Sequence, residues 1–302
     1  MFHAPRIVAT IFGGICVFAI SLFILLFTLQ TTVLQRQNVK EWLVKGDAYT
    51  HISNGVITHA ATGNSGVAIT QQQKALPPAV QRALTTTFSP EYLQRNTEQA
   101  LDGFYDWLEG KRPSPESLVT LGERQQDFAT NLSRELQKNM NSDAAKAAAQ
   151  AQTNQLAPLF NQTLAVPALQ GATESPQIAQ LPALLAVLPS ALVVLLVVAV
   201  SMAILAVVSQ QDRQQATKQL ATRLVISMSI TFAAGLGLAA VGTLLDLQIE
   251  AFFTTGASVA DALLAPLVDY ALPAIGGQLM VCSGSVIALG CLALLYSRTR
   301  NV

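Results

Sequence analysis

The stretch that decides the fold is ALLAVLPSALVVLLVVAVSMAILAVV, residues 183–208, which contains no Asp, Glu, Lys or Arg. Three more charge-free stretches of similar length lie at residues 7–29, 224–245 and 274–296. A helix needs about 20 residues to cross the ~30 Å hydrocarbon core, and a backbone in lipid must satisfy its own hydrogen bonds. The sequence therefore predicts an all-α integral membrane protein with four transmembrane helices and a helical extracytoplasmic domain between the first two.

The composition of the whole chain also favours a membrane protein. Of the 302 residues, 51% are hydrophobic and only 12% are charged, whereas soluble domains contain about 25% charged residues. The formal net charge is zero, which gives no reason to expect a nucleic-acid partner. All three cysteines lie in charge-free stretches, so we expect neither a disulfide nor a zinc site.

The first charge-free stretch has two interpretations. A secretory signal peptide has an apolar region of about 7–15 residues, followed by a cleavage site with small residues. Residues 7–29 form a longer run, and no such site follows it. We therefore favour a retained membrane anchor.

The distribution of basic residues predicts the orientation. Short loops rich in Lys and Arg stay in the cytoplasm, whereas residues 246–273 contain four acids and no Lys or Arg. We expect a multi-pass protein of the cell membrane with both termini in the cytoplasm. The expected cytoplasmic segments are residues 1–6, 209–223 and 297–302, and the expected outer segments are residues 30–182 and 246–273. In the second outer segment we expect the helix of the third span to continue to about Phe253, and an interfacial helix to follow near residues 258–267. The cytoplasmic cations are then Arg6, Arg213, Lys218, Arg223, Arg298 and Arg300.

The outer domain contains one stretch with strong helix signals, TFSPEYLQRNTEQALDGFYDWLEG at residues 87–110. Ser89 is a good N-cap, Pro90 suits the first helical position, and Gly110 suits the end. Apolar residues recur at steps of three and four, which predicts an amphipathic helix over a small core. The predicted stripe is Leu93, Thr97, Ala100, Leu101, Phe104 and Leu108.

The same stretch allows a second interpretation, because Tyr and Trp are enriched in the hot spots of protein interfaces. In that interpretation an exposed aromatic patch docks a partner. Its members are Tyr92, Tyr105 and Trp107.

The remaining outer segments are expected to be mostly helical. The first span should continue as a helix to about Lys45, and residues 50–70, rich in Gly, Asn, Ser and Thr, should form a loop. We expect a short extended piece at residues 118–121. Further helices are expected at residues 79–87, at residues 122–140 and from Asn141 or Ser142 onward.

The helix start FSPEYLQ, residues 88–94, resembles a group of uncharacterised bacterial membrane proteins. That group has the pattern Phe/Leu-Ser/Thr-Pro-Glu-Trp-Leu-Gln, and Tyr92 stands here at the Trp position. The resemblance covers the first span and roughly residues 33–137, and it implies no activity. The order of one span, a large outer domain and three spans is similar to FtsX- and MacB-type permeases, a likeness of topology only.

Small residues four apart predict close helix packing within two spans. The pairs are Gly235 with Ala239 and Gly284 with Ala288. These positions pack either inside one chain or at a seam between subunits of a homo-oligomer.

The chain carries no recognisable catalytic motif. Its charge-free stretches contain no Asp, Glu, Lys, Arg or His, which argues against an ion-coupled transporter. His51 and His59 lie in the predicted loop without a partner motif. Carboxylate oxygens are ligands for hard cations, but the spacing of the four outer acids matches no calcium loop, and we expect solvated acids instead. These acids are Asp246, Glu250, Asp261 and Asp269.

We therefore predict no catalytic, cofactor-binding or metal-binding residue and no cofactor. The favoured function is a non-enzymatic scaffold subunit of an envelope assembly. Its partners would be the lipid bilayer, other membrane or envelope proteins, and further copies of the chain. The alternatives are a permease-type subunit energised by a separate ATPase and a ligand-sensing membrane protein.

Overall fold

A computed structural model describes residues 4–62, 76–114, 118–120, 122–160, 163–165, 179–210, 212–253 and 259–299. These residues are almost entirely helical, and four of the described helices are long and apolar enough to cross a membrane. The predicted fold class is confirmed. In chain order the elements are α1 (Ala4–Thr31), α2 (Arg36–Lys45), α3 (Ala48–Thr62), α4 (Pro78–Thr87), α5 (Pro90–Leu108), β1 (Leu118–Thr120), a 3-10 turn (Gly122–Arg124), α6 (Gln125–Leu136), α7 (Ser142–Gln155), α8 (Ala157–Phe160), β2 (Thr163–Ala165), α9 (Leu181–Val208), α10 (Arg213–Phe253) and α11 (Val259–Thr299).

The chain divides into two compact units. The first, called the membrane unit, contains the apolar parts of α1, α9, α10 and α11. The second, called the helical unit, contains α3 to α8 and the strand pair. The membrane unit is Met1–Val39, Ala183–Asp246 and Val268–Val302, and the helical unit is Lys40–Pro182 and Leu247–Leu267.

The membrane unit has an apolar centre and an apolar exterior. Ile24 of α1, Met228 of α10 and Leu279 of α11 are buried in one cluster. Large apolar side chains also point outward, and Phe18 and Val193 are 68% and 63% exposed. An exterior of this kind is favourable in lipid and costly in water.

The joint between α1 and α2 differs from the prediction, because α1 stops at Thr31 instead of continuing to Lys45. The hydroxyls of Thr31 and Thr32 donate to the carbonyls of Phe27 and Thr28, a contact that competes with helix propagation. The Asn38 amide then donates to the carbonyls of Thr31 and Thr32, both at 3.0 Å. The chain turns here because side chains satisfy the last carbonyls of α1.

The predicted loop at residues 50–70 is wrong over its first part, which forms α3. Asp47, at φ 50°, ends the preceding turn. Ile52 and Ser53 are buried, and the Ser53 hydroxyl donates to the carbonyl of Phe88 at 2.8 Å. This packing outweighs the weak helix propensity of the segment. Residues 63–75 lie outside the described part of the chain.

The ends of α10 and α11 also correct the sequence interpretation. The expected cytoplasmic loop at residues 209–223 is mostly helix, because α10 already begins at Arg213. The expected separate interfacial helix near residues 258–267 is wrong, since residues 259–267 form the start of the continuous helix α11. The extension of the third span to Phe253 is confirmed. The side chains of residues 242–266 lie outside the described residues.

Three phenylalanines form the centre of the helical unit. Phe88, Phe128 and Phe160 are almost fully buried, and the ring centroid of Phe160 lies 6.0 Å from Phe88 and 5.4 Å from Phe128. Helix α6 packs between α4 and α7. The strand pair confirms the expected extended piece, with Val119 opposite Leu164 in an antiparallel register.

Candidate functional site

Helix α5 begins as the sequence predicts. The Ser89 hydroxyl accepts a hydrogen bond from the Tyr92 backbone N–H at 3.3 Å, and Pro90 occupies the first helical position. Hydrogen bonds from its own backbone N–H and from the Ser89 hydroxyl hold the pKa of Glu91 below its usual value. The positive end of the helix dipole also stabilises a carboxylate at this position.

The end of α5 is equally well defined. Gly110 has φ 73°, a left-handed conformation that a residue with a Cβ atom adopts only at a cost. The N–H of Gly110 donates to the Trp107 carbonyl at 2.9 Å, and the N–H of Lys111 donates to the Asp106 carbonyl at 2.7 Å. This pair of bonds is a Schellman motif.

The prediction of an exposed aromatic patch on α5 is wrong. Tyr105 and Trp107 are only 5% and 6% exposed, so neither side chain presents a docking surface in this conformation. Tyr92 is half-buried, and the guanidinium of Arg124 lies 3.8 Å from its ring centroid. The alternative interpretation, in which the aromatic residues of α5 build a core, is the correct one.

The predicted stripe of α5 is correct only in part. Leu93 and Leu108 are buried, but Phe104 is half-buried. The Phe104 ring centroid lies 5.9 Å from that of Tyr105 and 5.6 Å from that of Trp107. Near its C-terminal end α5 is therefore buried on more than one side.

The acids of α5 are engaged with neighbouring polar groups. Asp102 forms an ion pair with Lys40 of α2 at 2.8 Å, and the Gln94 amide donates to Glu98 at 2.8 Å. Glu135 of α6 similarly pairs with Arg82 and Lys138 at 2.8 and 2.6 Å. Hydrogen bonds from Lys138 and Arg82 hold the pKa of Glu135 below its usual value. The Lys40–Asp102 and Arg82–Glu135 pairs connect neighbouring helices, and the other two pairs are local contacts along the chain.

Tyr49 of α3 is a feature that the sequence analysis missed. Its side chain is buried, and its hydroxyl has no hydrogen-bond partner among the described residues. Burial, and to a lesser extent the charge of Glu98, raises the pKa of this phenol. Periodicity places an aromatic residue in a core, but it does not show whether the core supplies an acceptor.

The two histidines of the predicted loop, His51 and His59, both lie on α3. His51 is half-buried on α3, while the side chain of His59 lies outside the described residues. In the described part of the chain, no group of three His, Cys, Asp or Glu side chains is close enough to hold a metal ion. Three of the four outer acids lie in residues 242–266, whose side chains are outside the described part of the chain. That these acids are solvated stays a prediction.

Small residues bring α10 and α11 close together in the membrane unit. A Cβ atom on Gly235 would lie 2.8 Å from the carbonyl oxygen of Gly276. A Cβ atom on Gly276 would lie 2.5 Å from the Gly235 carbonyl oxygen and 2.8 Å from the Ala239 backbone nitrogen. The predicted pair Gly235 and Ala239 therefore packs against α11 inside one chain.

The second predicted pair behaves differently. A Cβ atom on Gly284 would meet the Phe232 ring at 3.8 Å, and Ala288 is exposed. Sequence reasoning missed Gly276 and Gly290. A Cβ atom on Gly290 would lie 2.7 Å from the Val225 side chain.

The basic end of α10 contacts two other helices of the membrane unit. The Arg223 guanidinium donates to the carbonyl oxygen and the hydroxyl of Thr10, at 3.1 and 3.3 Å. The Gln214 amide donates to the Ser297 carbonyl of α11 at 2.5 Å. Side chains that are polar or basic thus join α1, α10 and α11 at one end.

No protein-family model, curated protein or solved structure matches the chain.

Proposed function

We propose that the chain is a non-enzymatic, multi-pass protein of the cell membrane that acts as a scaffold subunit of an envelope assembly. The helical unit would lie outside the membrane and bind other membrane or envelope proteins. The membrane unit would anchor it in the bilayer.

The observation that supports the proposal is the different chemical character of the two units. The spans present apolar side chains outward and small residues inward. The helical unit has an aromatic core. Its acids Asp102 and Glu98 contact the ammonium of Lys40 and the amide of Gln94. Such an arrangement favours a stable binding surface over a reaction centre, because catalysis needs acid and base groups aimed at one point.

The topology supports an outer location for the helical unit. Residues between the first and second spans and residues between the third and fourth spans lie on the same side of any membrane that the four helices cross. That side carries four acids and no cation in its short loop, which favours the outer face.

The proposed binding surface is not the aromatic patch that the sequence suggested. Tyr105 and Trp107 are buried, so a partner would have to contact exposed residues of the unit. Arg95 and Gln99 are exposed one turn apart on α5, and Lys146 is exposed on α7. These three positions are suitable for a photo-crosslinking residue.

The test is photo-crosslinking of the full chain in its native membrane from these positions. The proposal expects a discrete adduct from at least one of them, identified by mass spectrometry, and no adduct from the buried position Phe128. Adducts of many unrelated proteins, or monomeric chain alone from all three positions, would contradict it.

The alternative of a permease-type subunit is favoured by one observation. Helix α10 is uninterrupted from Arg213 to Phe253, so a displacement of its basic end would be carried along the helix axis into the bilayer. In this proposal an ATPase would contact Arg213 and Lys218. Co-purification of a nucleotide-binding protein with the wild-type chain, lost on Arg213→Glu and Lys218→Glu, would favour it over the scaffold.

A further inference from the structure

We propose that Arg223 and Thr10 form a site for the phosphate group of a membrane phospholipid, at the face of the bilayer on which α10 begins. This inference does not depend on the proposed function. It starts from a positive charge that the fold holds in place at the edge of the hydrocarbon region.

The guanidinium of Arg223 is fixed against α1. One terminal nitrogen donates to the Thr10 carbonyl at 3.1 Å, and the other donates to the Thr10 hydroxyl at 3.3 Å. Gly13 lies one turn further along α1, and a Cβ atom there would come within 3.3 Å of the guanidinium. The absence of a side chain on Gly13 leaves room for the guanidinium beside α1.

Most of the hydrogen-bonding capacity of Arg223 remains unused. A guanidinium has five N–H donors, and Thr10 accepts from two of them. Among the described residues, no carboxylate pairs with Arg223. A cation beside hydrocarbon without a counter-charge is unfavourable.

The position of Arg223 brings it to lipid headgroups. It is the last charged residue before the charge-free residues 224–245. From Thr10 to the end of α1 at Thr31, the helix rises about 32 Å, close to the ~30 Å thickness of the hydrocarbon core. Thr10 therefore lies near one boundary, where lipid phosphates are the abundant anions. A planar guanidinium binds phosphate oxygens in a bidentate manner, which an ammonium cannot do.

Arg213 provides a matched control on the same helix. It is exposed and lies ten residues, or about 15 Å along the helix axis, before Arg223. Substitution of either residue removes one positive charge. Only Arg223 is held against α1, so only its removal should empty the proposed site.

The experiment is native mass spectrometry of the full chain, purified in mild detergent, with added lipid. The probes are a phosphatidylglycerol and a diacylglycerol with the same acyl chains, which lacks the phosphate. We expect the wild-type chain to retain the phospholipid at least about fivefold more than the diacylglycerol, equivalent to about 1 kcal/mol for one basic residue at the membrane surface. Arg223→Gln should remove this preference, and Arg213→Gln should leave it within about twofold of wild type.

Equal retention of the two lipids by the wild-type chain would overturn the proposal, and that comparison needs no variant to fold. An equal loss in Arg213→Gln and Arg223→Gln would also overturn it, because it would show attraction by general positive charge. Displacement of the phospholipid by millimolar inorganic phosphate would contradict a lipid source and indicate a site for the free anion.

Discussion

The close approach of Gly235 and Gly276 gives the sharpest quantitative prediction. A methyl group on Gly276 would lie 2.5 Å from a carbonyl oxygen of α10, whereas ordinary contact begins at 3.4 Å. Because the obstructing atoms are backbone, the helices must separate by roughly 0.9 Å or distort. Over-packing of this kind costs about 1–3 kcal/mol, and the higher helix propensity of Ala returns up to about 1 kcal/mol. Gly276→Ala should therefore destabilise the membrane unit by about 1–2 kcal/mol.

The neighbouring residue Gly277 is the matched control. A Cβ atom there has no atom within 4 Å, so Gly277→Ala should be neutral or stabilise by up to about 1 kcal/mol. Gly235→Ala, with a Cβ atom at 2.8 Å from backbone, should resemble Gly276→Ala. The double variant should cost less than the sum, because one separation of the helices accommodates both methyl groups.

The native thiol of Cys16 supplies the assay. Cys16 is fully buried, so its reaction with a maleimide in a denaturing detergent reports opening of the membrane unit. All variants carry Cys282→Ala and Cys291→Ala, which leaves one reactive thiol. We expect the rate to rise about 5- to 30-fold in Gly276→Ala, corresponding to 1–2 kcal/mol. Similar rates for the Gly276 and Gly277 variants would refute the close-contact argument.

Three further predictions concern the helical unit, all measured on the full chain. Ser89→Ala removes the cap of α5 and should lower the stability of that helix by about 1 kcal/mol, seen as faster amide exchange in its first turn; unchanged exchange would contradict the capping role. Tyr49→Phe removes a buried hydroxyl without an acceptor and should raise the thermal midpoint by an amount corresponding to about 1 kcal/mol, whereas a fall would show that the hydroxyl has a partner. The pKa of Glu135 is lower in the folded state than in the unfolded state. The ionised carboxylate therefore stabilises the fold above the unfolded-state pKa, and this stabilisation should be lost as pH falls through the folded-state pKa. Glu135→Gln should therefore flatten the acid limb of the stability curve, and an unchanged limb would sink this assignment.

The features that could be predicted from sequence are those that local chemistry decides. Exclusion of charge from residues 183–208 is sufficient to predict a lipid-length helix, because any charge there would be costly. The start of α5 at Ser89 and its end at Gly110 were also predictable, since a cap and a left-handed residue act on adjacent backbone groups.

The features that could not be predicted depend on contacts between distant segments. Composition predicts a loop at α3, but burial of Ile52 and the bond from Ser53 to Phe88 stabilise a helix. A single periodic stripe selects Phe104 rather than Tyr105 for the core, because it assumes that α5 is buried on one side. Similarly, the spacing around Gly235 predicts a close contact without identifying Gly276 as its partner.

The measurement that decides the arrangement of the chain is the accessibility of cysteines introduced on both sides of the membrane. Asn139 in the helical unit and Gln215 at the start of α10 are both exposed. The variants Asn139→Cys and Gln215→Cys are made in a chain whose Cys16, Cys282 and Cys291 are replaced by alanine. In intact cells, a membrane-impermeant maleimide should label position 139 at once and position 215 only after permeabilisation. Labelling of position 215 and protection of position 139 would place the helical unit in the cytoplasm and contradict its proposed role outside the membrane.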